Sequence, residues 1–567
     1  MKKEVKRIFR AIVALLIVSV FLLATGCVTN QPQETTSTDN TSKSPDAGGS
    51  STSPAVVDPG PEGAASAAKI QELVVNVGPD PDTIDPALNS SVDGATLIIH
   101  GYEGLYSLDK NGIPTPGQAK SVDISDDGTV YTFTLRDGLK WSDGSALTAK
   151  DFVYSWQRAI NPDTAADYEY MYDIIVGYED GNLDVVAVND TTLQVRIIAR
   201  TPYFLELMAF PVFFPVKESI VEANGDAWAT KVETYVGNGP YRMIEWVPGG
   251  HIVYEKNPNY WNVSALGPEK IKFVLMDDNN AMLSGFNAGT LSFIDDVPND
   301  EIEALRDKSE FHIMGQIGTY YVSYNVTVPP LDNPKFRQAL TLAIDRDFIT
   351  KNIGKAGQIN AGAYVSEGIS DSAPGSSFRE VGGNYYDPSP EGYAANLALA
   401  KQLIKELYPN GNVPTLSYIY NTSTGHKLIA EALQRMWGDI GVNVTLDTQE
   451  WSVFLNTRKN GEYQIARNGW LNDYNDPIGM LDMWITGGGN NDAQWSNTTY
   501  DSLITQAKQS SDPVARMKLL HQAEDIIFNE WMLAPIYFYV DIFMIDSSLN
   551  GFYASPLGYK YFMYTYK

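Results

Sequence analysis

The 567-residue chain contains a single cysteine, Cys27, and only five histidines. One cysteine can form neither an internal disulfide nor the cysteine pair of a zinc site. The sequence has no HExxH pair, no GxSxG motif and no phosphate-binding Walker loop. These absences argue against zinc hydrolases, serine hydrolases and nucleotide-dependent enzymes. We therefore expect no catalytic residue, no metal site and no cofactor. A glycosidase pair of carboxylates stays open, because the separation of two carboxylates cannot be read from a sequence.

Long apolar runs are also scarce. The run at residues 11–23 is shorter than the about 20 residues that cross a bilayer, and it follows a cationic head. This arrangement is typical of a secretory signal. The run ends at Ala24-Thr25-Gly26-Cys27, where small residues before a cysteine indicate lipoprotein processing. We predict a signal peptide at residues 1–26 and lipidation of Cys27; the alternative is an ordinary cleaved signal and a soluble protein.

Large apolar residues are nearly absent from residues 27–68, where Ser, Thr, Pro, Gly, Asp and Asn predominate. Such a segment buries too little surface to order itself. We predict a flexible linker that joins the lipid anchor to a folded body. The body of about 500 residues exceeds one hydrophobic core, so two or three domains are expected.

Positive charge is scarce as well. The formal net charge is −28, and the cationic signal makes the mature chain more acidic still. Nucleic acid is therefore excluded as an expected partner. The acidity fits a solvated surface or cationic ligands, and charge alone does not choose between them.

Residues 69–567 alternate between β-branched runs and helical patterns, which predicts an α/β fold. The predicted strands are 72–77, 130–135, 192–198, 443–446 and the late segment 534–540. The predicted helices are 149–159, 333–344, 393–407 and 427–437. No tandem repeat interrupts this pattern.

The segment 449–477 is the richest in candidate binding residues. Arg467 and Asp473 place opposite charges on either side of Gly469-Trp470, which is what a pocket needs to hold a zwitterion such as a free peptide by both ends. Gly469 would let a ligand backbone approach as an added strand. The alternative is a structural ion pair between Arg467 and Asp473.

Several blocks resemble the oligopeptide-binding proteins that serve peptide ABC transporters, and together they cover nearly the whole body. The blocks are YEGLYSLDKNG (102–112), LRDGLKWSDGSALTAKDFVYSWQRAINP (135–162), GNGPYRM (237–243), NPNYW (257–261) and IGVNVTLDTQEW (440–451). The resemblance implies a two-lobed periplasmic-binding-protein-like (Venus flytrap) fold with an additional inserted domain. Its predicted parts are lobe I (69–102, 216–317 and 541–567), inserted domain II (103–215) and lobe III (318–540).

The resemblance also implies roles for individual residues. Asp473 is expected to bind the peptide ammonium, and Arg467, His426 and Lys355 to meet the terminal carboxylate for different peptide lengths. The expected contacts of the peptide main chain and side chains are Val92, Tyr168, Trp451, Gly469, Trp470, Leu471 and Tyr539. The alternatives are a surface histidine at a helix start for His426 and core packing for the aromatic residues.

Departures from the family pattern at Asn468, Leu471, Ser90 and Ser91 leave peptide length and side-chain preference open. The resemblance predicts a monomeric, extracytoplasmic lipoprotein that binds short oligopeptides and delivers them to ABC transporter permease subunits. Two alternatives remain: the same scaffold carrying nickel, haem, murein peptide or a sugar, and a peptide-sensing receptor.

Overall fold

The computed structural model describes residues 69–373 and 375–567. The predicted signal peptide, Cys27 and the predicted linker lie outside these residues. Within them, no helix combines the length and the apolar composition that crossing a membrane requires.

The strands of the described part are β1 Glu72–Asn76, β2 Tyr106–Leu108, β3 Pro114–Pro116, β4 Ala119–Ile124, β5 Val130–Leu135, β6 Val185–Asn189, β7 Thr192–Arg196, β8 Tyr241–Val247, β9 His251–Lys256, β10 Lys270–Val274, β11 Phe293–Ile294, β12 Phe311–Tyr324, β13 Ile359–Asn360, β14 Leu416–Asn421, β15 Val444–Gln449, β16 Ile465–Leu471, β17 Leu533–Ile545, β18 Tyr553–Ala554 and β19 Lys560–Tyr561.

The α-helices of the same residues are α1 Val92–Gly101, α2 Ala149–Ala159, α3 Phe204–Leu207, α4 Glu218–Asn224, α5 Asn279–Asn287, α6 Ile302–Leu305, α7 Pro334–Leu342, α8 Arg346–Phe348, α9 Phe378–Gly382, α10 Pro390–Leu407, α11 Thr424–Gly438, α12 Trp451–Lys459, α13 Ile478–Leu481, α14 Thr498–Gln509 and α15 Pro513–Asn529. A π-helical segment, Ile349–Gly354, follows α8.

One mixed sheet runs through the described part in the order β15-β14-β16-β12-β17-β11-β1-β10-β9-β8, with β13 paired to β17. At one end β14 lies parallel to β15 and β16. Towards the other end β1 lies parallel to β10 and β11. The long antiparallel strands β12 and β17 belong to both ends.

The ladder between β12 and β17 is interrupted in the middle. Residues 311–315 of β12 pair with the second half of β17, and pairing resumes at Thr319 with the first half, after a register shift between Gly315 and Thr319. A break in the ladder weakens the backbone coupling at this point. Two strands therefore cross between two bodies, which confirms the predicted two-lobed α/β fold. The domain boundaries given above stay a prediction.

A separate antiparallel sheet, β4-β5-β7-β6, lies within residues 119–196. Along β5, every second side chain is buried, as expected of a strand with one face on a core. Helix α2 packs nearby, and its Trp156 is fully buried. This helix begins with a capping box in which Asp151 accepts from the backbone N–H of Thr148 at 2.7 Å.

Most predicted elements form with small changes at their ends. The strand 130–135 and the helix 149–159 have the predicted bounds. Helix α11 begins at Thr424 rather than at residue 427, because Ser423 caps it. This earlier start places His426 in the first turn. The late strand is longer than predicted, since β17 continues to Ile545 through the crossing between the lobes.

Candidate functional site

A cleft with two adjoining compartments lies between the lobes. The first compartment, of about 300 Å³, contains Asp473, and the second, of about 360 Å³, contains His426. Six residues line both: Val92, Asp93, Trp451, Arg467, Leu471 and Tyr539. One extended ligand could therefore occupy both compartments.

Strand β16 forms part of the cleft wall. Its burial alternates, so that Arg467, Gly469 and Leu471 are partly exposed while Asn468 and Trp470 are buried. A Cβ atom at Gly469 would overlap the hydroxyl of Tyr539. The absent side chain thus makes room for Tyr539. The sequence suggested a different reason for this glycine, the close approach of a ligand backbone.

One edge of β16 is open along the cleft. Strand β14 pairs with β16 only at Ile465 and Ala466, while β12 pairs with the whole opposite edge. Within residues 69–373 and 375–567, no strand pairs with the remaining stretch of β16 on the β14 side. An extended ligand could supply the missing backbone partner.

Asp473 follows β16 and is almost fully buried, with 8% of its surface exposed. Its Oδ1 accepts a hydrogen bond from the Tyr168 hydroxyl at 3.3 Å, whereas its Oδ2 is buried without a hydrogen-bond partner. Burial raises the pKa of this carboxyl well above its usual value, and the nearby charge of Asp482 adds to the rise. The carboxylate therefore favours a ligand that brings hydrogen-bond donors and positive charge.

Arg467 extends from β16 towards both compartments. Its Nη2 donates to the Tyr539 hydroxyl at 3.3 Å, its guanidinium lies 5.1 Å from the centre of the Tyr320 ring, and its Nε is buried without a hydrogen-bond partner. In the described part of the chain, Arg467 forms no ion pair with Asp473 or any other acid. The structural ion pair that the sequence left open is therefore absent, and the charge of Arg467 is available to a ligand.

His426 lines the second compartment from the first turn of α11. Its Nδ1 lies 3.3 Å from the Tyr320 hydroxyl. Burial lowers the pKa of His426 well below its usual value, and the positive charge of Arg467 lowers it further. The imidazole is therefore neutral at physiological pH and can donate one hydrogen bond to a ligand.

Lys355 is not brought into the cleft. It ends the π-helical segment with a left-handed backbone conformation, and its Nζ forms an ion pair with Asp300 at 2.7 Å. Its neighbours Gly354 and Gln358 line the second compartment. A role for Lys355 in binding stays a prediction that would require this ion pair to open.

The predicted aromatic residues line the first compartment together with Val92 and Leu471. Trp470 is 8% exposed and donates from Nε1 to the carbonyl of Gly479, so it also packs the core, as the alternative suggested. Trp451 starts α12, and its Nε1 has no hydrogen-bond partner. Tyr168 lies 6.0 Å from Trp470 between ring centres.

The positions that depart from the family pattern have local structural roles. Asn468 accepts from the backbone N–H of Gly469 and from Arg458, and donates to Asp492 at 3.1 Å. Ser91 caps α1 by accepting from the backbone N–H of Gly94. These contacts support the backbone around the cleft.

Several acids that line the second compartment were not predicted from the sequence. They are Asp93, Asp277, Asp295, Asp296 and Asp541. They come from distant parts of the chain and from different elements. A motif search cannot find such a set, because only the tertiary structure brings its members together.

Polar contacts connect the two sides of the cleft. Lys459 of α12 pairs with Asp167 at 2.6 Å, and Lys508 pairs with Asp173 at 2.7 Å. Asn456 donates to Asp82 at 3.2 Å. With the bond between Tyr168 and Asp473, these contacts show lobes that are closed on each other.

Relatives of known function and structure share this architecture. The oligopeptide-binding protein OppA of Bacillus subtilis (strain 168) is 37% identical over 518 residues, which cover 87% of this chain and 92% of the relative. The crystal structure of Haemophilus influenzae OppA in complex with RPPGFSPFR has a TM-score of 0.83 at 29% identity, covering 88% of this chain and 99% of that one.

A second solved structure identifies the conformation. The unliganded open form of the periplasmic murein tripeptide-binding protein MppA of Escherichia coli has a TM-score of only 0.59 at 30% identity, although it covers 88% of this chain and 98% of its own. Equal coverage with lower similarity indicates that the lobes of this structure are arranged differently from those of that open form, in agreement with the contacts across the cleft.

The family description that matches residues 114–492 is that of the bacterial extracellular solute-binding proteins, family 5. This match spans more than half of the chain, and it agrees with the two-lobed fold and with the cleft between the lobes. The chain belongs to the bacterial extracellular solute-binding proteins of family 5.

Proposed function

We propose that this protein captures short oligopeptides outside the cytoplasm and delivers them to the permease subunits of an ABC transporter for import. One observation carries the proposal: the buried Asp473 and the partly exposed Arg467 lie in one cleft and have no ionic partner in the described part of the chain. The peptide-binding relatives described above support it.

The two residues suit the two ends of a peptide. Asp473 accepts hydrogen bonds from the ammonium, while Arg467 and the neutral His426 donate to the carboxylate. Six residues of extended chain span about 20 Å, and the reach of the two side chains shortens this distance. The gap suits a peptide of a few residues whose main chain pairs with the open edge of β16.

The same charges give a reason for closure upon ligand binding. Closing the lobes over an empty cleft would bury Asp473 and Arg467 without counter-charges, which costs free energy. A peptide supplies both counter-charges and removes this cost. Binding therefore shifts the population towards the closed form, which a permease can distinguish from the empty, open form.

The anchoring and assembly in the proposal rest on the sequence. Lipidated Cys27 holds the protein at the outer face of the membrane or in the periplasm, and the linker at residues 27–68 gives the body reach towards the permease. The body works as a monomer. For ligands of other lengths, Lys355 takes over the carboxylate when its ion pair with Asp300 opens.

Mass spectrometry tests the nature of the ligand. Protein purified without refolding is denatured, and the released small molecules are identified. We expect a mixture of short peptides. A single sugar, or a metal ion in stoichiometric amount, would overturn the proposal.

Isothermal titration calorimetry then tests the two anchors. Tetraalanine is compared with its N-acetylated and its C-amidated forms, which lack one terminal charge each. We expect both modifications to weaken binding by about tenfold or more, since charge-assisted hydrogen bonds contribute about 1.5 to 3 kcal/mol. Equal affinity for all three peptides would contradict capture by both termini.

A further inference from the structure

The second compartment has an unusual balance of charge. Five carboxylates line it, from Asp93, Asp277, Asp295, Asp296 and Asp541. The permanent cations that line it in the described part are Arg467, at the border with the first compartment, and Lys560. Negative charge is therefore in excess, although this part of the cleft also contains the neutral His426.

Lys560 has no capacity left for a ligand. It is 2% exposed, and its Nζ lies 2.9 Å from Asp541 Oδ2, 3.0 Å from Asp295 Oδ1 and 3.1 Å from the carbonyl oxygen of Gly558. One ammonium thus serves two carboxylates. Lys560 therefore neutralises none of the other acids that line the compartment.

The other three acids, Asp93, Asp277 and Asp296, have no cation beside them in the described part of the chain. Within residues 69–373 and 375–567, no cationic side chain forms an ion pair with Asp93, Asp277 or Asp296. Asp93 Oδ2 is buried and accepts no hydrogen bond. Asp296 accepts from Asn279 Nδ2 at 2.9 Å and from the backbone N–H of Val297 at 2.7 Å, so the partner that it lacks is a cation. Burial raises the pKa values of Asp93 and Asp296 to about 6, because it disfavours their charged forms.

A buried amide adds an independent acceptor to the same wall. Asn76 lines the second compartment and is 0% exposed. Its Nδ2 donates to the carbonyls of Gly78, Val274 and Met276, which fixes the orientation of the amide. Its Oδ1 accepts no hydrogen bond from any of the described residues. The missing partner is therefore a donor.

The arrangement of the acids suits a large cation better than a metal ion. The described residues include no group of three or more acidic, histidine or cysteine side chains that could hold a metal ion. The acceptors are instead distributed over one wall, formed by residues of α1, β1, β17 and the segments after β10 and β11. A lysine ammonium brings three donors and an arginine guanidinium five, which can reach several separate acceptors.

We propose that the second compartment is a subsite for a basic side chain, so that the protein selects peptides with Lys or Arg at or next to the carboxyl terminus. The inference rests on the proposed function, because it assumes a peptide anchored at Asp473. Arg467 and His426 face the carboxylate of such a peptide from β16 and α11. The acids on the other wall receive the side chain of the same or the preceding residue.

A peptide series on the full-length protein tests the subsite. Each alanine of tetraalanine is replaced in turn by lysine, by norleucine or by glutamate, and dissociation constants are measured by calorimetry. At position 3 or 4 we expect lysine to bind about tenfold tighter than norleucine, and glutamate about tenfold weaker. Position 1 should show no such preference. Equal affinities of the lysine and norleucine peptides at positions 3 and 4, or an equal preference at all positions, would overturn the subsite.

Variants of the acids then show which residues cause the preference for lysine over norleucine. Asp295→Asn and Asp296→Asn should each reduce the ratio of lysine to norleucine affinities at least threefold. Asp307→Asn removes a charge from an exposed site outside the cleft lining and should keep the wild-type ratio. An unchanged ratio in folded Asp295→Asn and Asp296→Asn would contradict the assignment.

The outcomes distinguish a failure of the subsite from a failure of the proposed peptide binding. Thermal unfolding shows which variants are folded. If neither variant folds, the affinities of the lysine and norleucine peptides for the wild-type protein are the test of the subsite. If tetraalanine binds but lysine gains nothing, the subsite alone is wrong. If no peptide binds, the proposed function fails and the subsite with it.

Discussion

Asp473 and Asp476 are three residues apart and both are buried, with 8% and 6% of their surfaces exposed. Asp476 accepts from both terminal nitrogens of Arg516 at 2.7 Å and from the backbone N–H of Ile478 at 3.0 Å. Asp473 has only the Tyr168 hydroxyl at 3.3 Å. The protein thus satisfies one carboxylate completely and leaves its neighbour nearly unpartnered.

The arginines of the same region show a similar contrast. Arg458 also lines the first compartment, but it donates to Asn468 and pairs with Asp492 at 3.6 Å. Arg467 faces the cleft, where its Nη2 donates to the hydroxyl of Tyr539, and it forms no ion pair within the described residues. A buried charge without a partner destabilises a fold. An unpartnered charge in the cleft, beside charges that are paired within the protein such as Asp476 and Arg516, distinguishes residues kept for a ligand from residues kept for stability.

Removing the unpartnered acid should have the largest effect on binding. We expect Asp473→Ala to weaken peptide binding by about 3 to 5 kcal/mol, because the peptide ammonium would then be buried without its counter-ion. The free energy of unfolding should not fall, since an uncompensated buried carboxylate is lost. Calorimetry and urea denaturation measure the two quantities, with exposed Asp307→Ala as the control. Unchanged affinity of the Asp473 variant would refute the assignment.

Removing the partner of the satisfied acid should affect stability instead. We expect Arg516→Ala to lower the free energy of unfolding by about 3 kcal/mol. This value is at the lower end for a buried ion pair that loses one partner, because Asp476 still accepts a hydrogen bond from the backbone N–H of Ile478. Urea denaturation measures the change, and Lys518→Ala, an exposed change on the same helix, should have little effect. If Arg516→Ala unfolded no more easily than Lys518→Ala, the contrast between the two aspartates would not hold.

The smallest of the three effects concerns pH. A bound ammonium should stabilise the ionised form of Asp473, whereas burial without a counter-charge raises the pKa of this carboxyl, so the pKa should be lower in the peptide complex than in the empty protein. Binding to a protonated Asp473 should then release a proton. Peptide affinity should therefore decrease as the pH falls, by at most about 1.4 kcal/mol per pH unit for one proton. Calorimetry from about pH 8 to about pH 5 measures this trend.

The variant Asp473→Asn isolates the contribution of this carboxyl. Its pH dependence should lack the decrease, while any opposite trend caused by proton uptake at His426 should remain. Identical pH profiles of the wild type and the variant would show that Asp473 does not titrate on binding.

The sequence predicted the local elements of the site well. Periodicity predicted α2 and β5 with the observed bounds, and the resemblance predicted the two-lobed fold and a cleft lined by Arg467, Gly469 and Asp473. It also suggested that Lys355 belongs to the binding residues, whereas the structure pairs that lysine with Asp300 outside both compartments. Ion pairs between distant segments depend on packing and leave no local pattern.

The amino-acid sequence by itself determined the features that depend on neighbours along the chain, namely the capped helices and the alternating strands. The export signal with Cys27 and the linker stay predictions from the same kind of local pattern. Only the tertiary structure decided which charges are paired. Arg516 and Asp476 are 40 residues apart, and the acids of the second compartment come from α1, β17 and the segments after β10 and β11. Since the cost of a buried charge depends on what surrounds it in space, the same residue type is structural at Asp476 and available to a ligand at Asp473.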